Sequence, residues 1–395
     1  MVRILFTGGG TGGHIYPILA VAEELKKIAE NRKIETKFYY IGAPKAFAQS
    51  LVSNGIIVLK IFSAGLRRYF DVRNFFDFFI FPVSVFQAFW KVFWVMPDIL
   101  FSKGGTGSLP VVLACWFYRV PIIIHDSDSI MGLANKLAVR FSDRIAFSFY
   151  SAAEELVQSM RTEKQKEAIK RKIALIGNPI RSSLNSGLIK DKTEAKNFFG
   201  FNENKPLILV LGGSQGAVRI NDFFLNVAGE LAKDYLVLHQ TGIDNFKSFS
   251  EELKVALKNF GETEKARYKA VSYFEKDLEN AYAAADIVVS RAGSGAIFEF
   301  AAFGIPAILV PLSVKVVGAH QIKNAYEYSE SGAAAVIEEE NLKSNIFLAM
   351  LEKILKNQEK LKLMSEAAKK FSKPDAALII AKEIMEFINL RRLTT

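Results

Sequence analysis

The chain has 395 residues, half of them hydrophobic, with a formal net charge of +10 and a pI near 9.3. It is long enough for two or three domains with sizeable cores, and its basic balance suits an anionic partner such as phosphate, nucleic acid or a membrane surface. The single cysteine, Cys115, excludes an intrachain disulfide and a Cys-based zinc cage and fits a reducing compartment, by default the cytoplasm.

The N-terminal apolar run, residues 4–6, passes straight into a glycine loop without the h-region of a signal peptide, so it is expected to be a first strand. The loop reads GGGTGGHIYP over residues 8–17, and Gly8, Gly10 and Gly13 fit G-x-G-x-x-G ahead of a helical pattern. The dinucleotide version of that motif needs an acidic residue about 20 positions on, at the end of the second strand. Here the second apolar run, 38–41, ends in Gly42-Ala43-Pro44, and Glu35 lies before it. An NAD-dependent oxidoreductase is therefore disfavoured. What survives is the physics of the loop, in which glycines let backbone N–H groups close on an anion at the positive end of a helix.

Residues 66–98 form an aromatic stretch, with Arg67, Arg68 and Arg73 ahead of a dense run of Phe and Trp. Asp77, Pro82, Gln87 and Lys91 interrupt it, so it is a poor transmembrane helix. Ser84, Gln87 and Lys91 mark a narrow polar stripe on an otherwise apolar helix. Two readings stand together: a buried helix of the first domain, and a monotopic membrane contact through Arg67, Arg68, Phe75, Phe76, Phe78 and Phe79.

Further apolar runs at 99–101, 122–124 and 145–147 mostly end in Gly, Ser, His or Asp, the pattern of β-α units and a parallel sheet. A lysine-rich helical stretch follows at 162–172. From residue 205 the pattern restarts: the run 206–211 enters GGSQGA (212–217) much as the first strand entered its own loop. This internal echo places a boundary near residue 180 between two doubly wound α/β domains, each carrying an anion loop. Runs at 235–238, 286–289 and 307–310 then feed the loops HQTG, SRAGSG and PLSV. The end of the chain, 374–390, reads as a helix with Ala377, Ile380, Ala381, Ile384 and Phe387 on one face, able to pack back on the first domain.

The four histidines, His14, His125, His239 and His320, all fall inside these loop motifs. Asp126-Ser127-Asp128 imitates a D-x-D metal site, and no basic helix or aromatic sheet motif supports nucleic-acid binding.

Taken together, TGGGTGGHIYP, KGGTGSLP (103–110), IIIHDSDSIMGLANKLA (122–138), GNPIR (177–181), LGGSQGA, HQTG, SRAGSGAIFEFAAFGIPAILVP (290–311) and HQIKNA (320–325) resemble, nearly end to end, the MurG glycosyltransferases of the GT-B fold. That family transfers N-acetylglucosamine from UDP-GlcNAc to undecaprenyl-diphosphate-linked muramoyl-pentapeptide (lipid I), giving lipid II. The resemblance implies an α/β protein of two Rossmann-like domains facing across a cleft. Residues 1–180, with a C-terminal helix at about 375–395, would form the acceptor and membrane-associating domain. Residues 181–374 would bind UDP-GlcNAc.

On the donor side the resemblance implies contacts from Arg181 and from Ser214, Gln215 and Gly216 to the nucleotide and phosphates, with Arg291 near the uridine. Ser294, Gly295, Ala296, Ile297 and Phe298 would form a helix N-terminus under the diphosphate, and Glu299 would accept the ribose hydroxyls. Gln321 would bind the sugar beside His320, and the backbone near Phe274 and Glu275 would read the uracil edge. On the acceptor side stand Gly10, Thr11, Gly12 and Gly13, the last three also within reach of the donor. A second glycine loop, Gly104, Gly105 and Gly107, joins them with His125, Asp126, Asp128 and Asn135. His14 is implied as the general base of an inverting transfer, a task its near-neutral ordinary pKa suits.

No metal ion or other cofactor is required by this pattern. The implied partners are UDP-GlcNAc, lipid I and the anionic inner face of the cytoplasmic membrane, where the protein would sit peripherally. Other cell-wall enzymes are compatible partners, and nucleic acid is not. Asp126 stands where many relatives carry Glu, and Ala319 where many carry Asp. The alternative is a related GT-B enzyme acting on another lipid, such as diacylglycerol.

Overall fold

The computed structural model describes residues 1–63, 73–105, 107–184, 191–213, 216–274, 277–313 and 319–394, with the side chains of 73–79, 183 and 391–394 outside the description. The chain divides into two compact units, one of Met1–Ser182 with Lys373–Thr395 and one of Ser183–Ser372.

The first unit holds strands β1 (Val2–Thr7), β2 (Thr36–Gly42), β3 (Ile56–Lys60), β4 (Ile99–Ser102), β5 (Ile122–Asp126), β6 (Arg144–Phe147) and β7 (Ile173–Leu175). They form one sheet in the order β3-β2-β1-β4-β5-β6-β7, with every described pair parallel. The inner strands are apolar on both faces because helices cover both, so β4 and β5 are buried at every position. One face meets the helix Gly12–Asn31 through Ile15, Ile18 and Val21, and the C-terminal helix Ala376–Thr394 through Ala377, Ile380, Ala381 and Ile384. The opposite face packs on Val111, Val112 and Cys115, whose thiol burial pushes its pKa up.

The second unit holds β8 (Leu207–Leu211), β9 (Leu236–Gln240), β10 (Tyr268–Val271), β11 (Ile287–Ser290), β12 (Ala307–Leu309) and β13 (Ala334–Val336), ordered β10-β9-β8-β11-β12-β13 and again parallel throughout the described pairs.

Both sheets therefore reverse direction of winding beside their first strand, between β1 and β4 in one and between β8 and β11 in the other. In open α/β sheets ligands bind outside the carboxyl ends of the strands at such a switch point. The strands that flank these points run into GGGTGGH and KGGTGS in the first unit, and into GGSQGA and SRAGSG in the second.

The aromatic stretch forms the helix Arg73–Val95. Its polar stripe points inward: Ser84 donates to the Phe62 carbonyl at 2.8 Å, and the Gln87 side-chain oxygen accepts the Phe62 N–H at 2.9 Å. The outward stripe is apolar, with Val83, Phe86, Trp90, Phe93 and Trp94 exposed at helical spacing. Arg67, Arg68, Phe75, Phe76, Phe78 and Phe79 lie outside the described residues or side chains. No helix among the described residues is long and apolar enough to cross a membrane.

Candidate active site

At the end of β1 the helix Gly12–Asn31 begins with Thr11 as its cap, and the Thr11 carbonyl accepts the N–H groups of His14 and Ile15. The amides of Gly12 and Gly13, which precede those two, lie ahead of the intrahelical ladder and are available to an anion. Thr11 Oγ1 lies 2.8 Å from His14 Nδ1 and so orients the ring. Only glycine fits around that ring: a Cβ on Gly105, which has φ +86°, would stand 2.9 Å from His14 Nε2, and one on Gly9 would stand 2.9 Å from Nδ1. Burial, then the charge of Lys103, holds the His14 pKa down to about 4 against the opposing pull of Asp128. His14 is thus neutral at physiological pH. With an Nδ1–H donated to Thr11, its Nε2 carries the basic lone pair.

The second glycine loop and the segment after β5 stand beside it. Gly104 packs against Asn135: a Cβ there would meet Asn135 Oδ1 at 2.5 Å. Asn135 Nδ2 donates to Asp126 Oδ2 at 2.8 Å and to the His125 carbonyl at 3.1 Å, while Asp126 also accepts the N–H groups of Gly132 and Asp128. Burial raises the Asp126 pKa, opposed by the Asn135 hydrogen bond. His125 is fully buried, with Nε2 2.9 Å from the Gly177 carbonyl and Nδ1 2.6 Å from Lys103 Nζ. His14, Asp126, Asn135 and the glycines of both loops are therefore gathered at one switch point. Lys103 is there too; its residue type alone does not mark it out, and a lysine directly after the run Ile-Leu-Phe-Ser is the signal.

In the second unit the donor expectations meet at the other switch point. The helix Ser294–Ala302 begins after β11, and the side chains of Ile297 and Phe298 are buried in the core, leaving Ser294, Gly295 and Ala296 to offer backbone amides. Glu299 stands one turn further, held by the Tyr282 hydroxyl at 3.0 Å. Gly216 has φ +78°, and a Cβ there would collide with the Thr241 carbonyl, so the turn of the GGSQGA loop requires glycine. Gln240 ties that loop to the next one: its amide nitrogen donates to the Gly213 carbonyl at 3.0 Å, and its oxygen accepts the Phe274 N–H at 3.1 Å. Gln321 Oε1 accepts the Leu312 N–H at 3.2 Å, at the start of the helix His320–Glu330 that His320 opens. Ser214, Gln215 and Glu275 lie outside the described residues.

Three residues stand apart. Arg291 is paired with the buried carboxylate of Glu339 and donates to the Val310 carbonyl at 3.1 Å. Arg181 belongs to the first unit, with its guanidinium 4.9 Å from the centre of the Tyr16 ring. His239 is a core residue whose two ring nitrogens meet Tyr268 Oη at 2.9 Å and Asn221 Oδ1 at 3.1 Å.

Two doubly wound units, each with glycine loops at its switch point, define the architecture of a two-domain glycosyltransferase, and the comparisons with known proteins agree. Residues 4–147 match the glycosyltransferase family 28 N-terminal domain and residues 207–379 its C-terminal domain. A UDP-N-acetylglucosamine–N-acetylmuramyl-(pentapeptide) pyrophosphoryl-undecaprenol N-acetylglucosamine transferase of Bacillus cereus is 35% identical, over 98% of this chain and 100% of its own length. Its counterpart in Treponema denticola is 33% identical, over 98% of both chains. The crystal structure of Acinetobacter baumannii MurG superposes with a TM-score of 0.71 at 22% identity, covering 98% of this chain and 100% of that one. The chain belongs to the MurG family of N-acetylglucosamine transferases.

Proposed function

We propose that the protein transfers N-acetylglucosamine from UDP-GlcNAc to the muramoyl hydroxyl of a lipid-diphosphate-linked MurNAc-pentapeptide, with inversion. The observation that carries this reading is the placing of His14, oriented by Thr11 and set between two glycine loops at the first switch point. His14 Nε2 takes the proton of the acceptor hydroxyl, and the oxygen forms its bond to the anomeric carbon. The bond from that carbon to UDP breaks, and UDP leaves with the electron pair. The glycine-loop amides of Gly10 to Gly13 and of Gly104 to Gly107 receive the acceptor's diphosphate. In the second unit the first turn of the helix Ser294–Ala302 faces the donor diphosphate and Glu299 accepts the ribose hydroxyls, with Gln321 near the sugar. The reaction proceeds without a required metal ion, since helix termini supply the countercharge.

The acceptor's lipid chain calls for a membrane contact, and the exposed aromatic face supports one. Phe86, Trp90, Phe93 and Trp94 stand on the helix Arg73–Val95, and Trp116 and Phe117 on the helix Ser108–Phe117 packed against it through Phe89. The cations suit anionic headgroups: Arg119 follows Phe117 closely in sequence, and Arg140 precedes Phe141, whose ring centre lies 5.1 Å from that of Trp116. The protein binds peripherally through this face to the cytoplasmic leaflet.

A thermal-shift comparison tests the donor assignment. UDP and UDP-GlcNAc are expected to raise the melting temperature and NAD to leave it unchanged; stabilisation by NAD alone would reverse the reading.

A further inference from the structure

Lys103 follows β4 and carries the chain onward into the second glycine loop, its own N–H donating to the Thr7 carbonyl at 2.9 Å. The side chain is only 2% exposed. Its ammonium donates to His125 Nδ1 at 2.6 Å, to Asn178 Oδ1 at 3.0 Å and to Ser127 Oγ. Three N–H donors thus find three acceptors, supplied by β5, the segment after it and the segment after β7. The His125 tautomer fits this seat, because Nε2–H donates to the Gly177 carbonyl and leaves the Nδ1 lone pair for the lysine. A buried lysine with all its donors matched is held in one place rather than left mobile.

The other titratable groups facing this charge are His125 and Asp126 at the end of β5, Asp128 in the segment after it, and His14 on the helix after β1. Gly8 adjoins both Lys103 and His14: a Cβ there would meet Lys103 Cβ at 3.4 Å and His14 Cβ at 3.5 Å. The glycine loop to be filled by an anion begins at the same place.

We propose that Lys103 is a positioning residue for the transfer: from its fixed seat its charge adds to the effect of burial in holding His14 unprotonated in the empty site, and an anionic diphosphate on the adjacent loops offsets that charge and strengthens the base. The inference rests on the reading of His14 as general base and adds a regulation of it by the acceptor's own charge. The direction of the shifts agrees. Burial and then Lys103 lower the His14 pKa, while burial lowers that of Lys103 to about 7 against the pull of Asp126 and Asp128. Lys103 is consequently protonated over the acid range in which His14 titrates.

The test is a histidine-resolved NMR titration of the full-length, substrate-free protein. Wild-type His14 is expected to stay neutral down to about pH 5. Lys103→Gln, which keeps donors but no charge, should raise its midpoint by about one unit. Asp128→Asn, at a half-buried position, should lower it. Inorganic diphosphate added to the wild type should raise it, and should do less in Lys103→Gln. A His14 midpoint unmoved by both substitutions overturns the proposal. The acid limb of kcat/KM should follow the His14 midpoint in Lys103→Gln; a moved midpoint with an unmoved limb would instead overturn the base assignment beneath it.

Discussion

The Tyr282 hydroxyl donates to Glu299 Oε2 at 3.0 Å, and Tyr282 is almost completely buried in the helix Leu278–Ala284, so one carboxylate oxygen is fixed by the core. A ribose-binding carboxylate held this way loses little rotamer freedom when the donor arrives. Tyr282→Phe removes a hydrogen bond to a charged group, of the kind that contributes about 1.5–3 kcal/mol. The KM for UDP-GlcNAc should rise about tenfold or more with kcat little changed. Steady-state kinetics with varied donor checks this, and an unchanged KM would remove Glu299 from the ribose.

Thr11 and His14 form the corresponding pair in the first unit. Thr11→Val keeps the shape but removes the Nδ1 partner, freeing the ring to turn. Its kcat should fall about tenfold, whereas Thr11→Ser should stay near wild type. Rate measurements at saturating donor and acceptor decide it.

Acid should destabilise the fold in a defined window. His14 and His239 are held down to about 4 and about 3, both chiefly by burial. The unfolded chain then binds more protons than the folded one, so stability is fully present above about pH 6.5 and is lost as pH falls toward these values. Melting temperature should drop progressively from about pH 6.5 to pH 4. In His14→Ala the slope should be shallower, and an equal slope would show that His14 is not desolvated.

The second unit should depend on Glu339. Its carboxylate is buried between Arg291 and the more exposed Arg219. Glu339→Gln leaves Arg291 without its counter-charge, a change that typically costs about 3–5 kcal/mol in a buried pair. Urea unfolding should register the loss. If stability is unchanged, Arg291 is available to a ligand instead.

The aromatic face should carry membrane binding. Each large apolar side chain inserted contributes roughly 1.5–3 kcal/mol. Replacing Trp90, Trp94, Trp116 and Phe117 together with Ser should weaken co-sedimentation with anionic vesicles by about a hundredfold or more. Unchanged co-sedimentation would place the contact elsewhere.

What the sequence revealed follows from burial. The inner strands β1, β2, β4, β5 and β6, and β8, β9, β11 and β12, are apolar on both faces and read directly as short hydrophobic runs. The edge strands escaped: β3 and β10 mix Lys60 and Lys269 into their apolar residues, and β7 and β13 are only three residues long. The glycine loops were legible because a tight turn at a strand end needs them. The aromatic helix was legible as a helix, yet its orientation was not. The stripe of Ser84 and Gln87 does not say which way it faces until the Phe62 backbone is there to meet it. Lys103, Gln240 and Tyr282 owe their significance to partners brought from distant strands and loops, which spacing along the chain does not encode.

The most direct test is transfer itself: radiolabelled UDP-GlcNAc, a short-chain analogue of lipid I, and the wild-type and His14→Ala proteins. The wild type should form labelled disaccharide-lipid, and His14→Ala should lose at least about a hundredfold in kcat while still binding UDP-GlcNAc. Full transfer by His14→Ala, or no transfer by the wild type, would contradict the account.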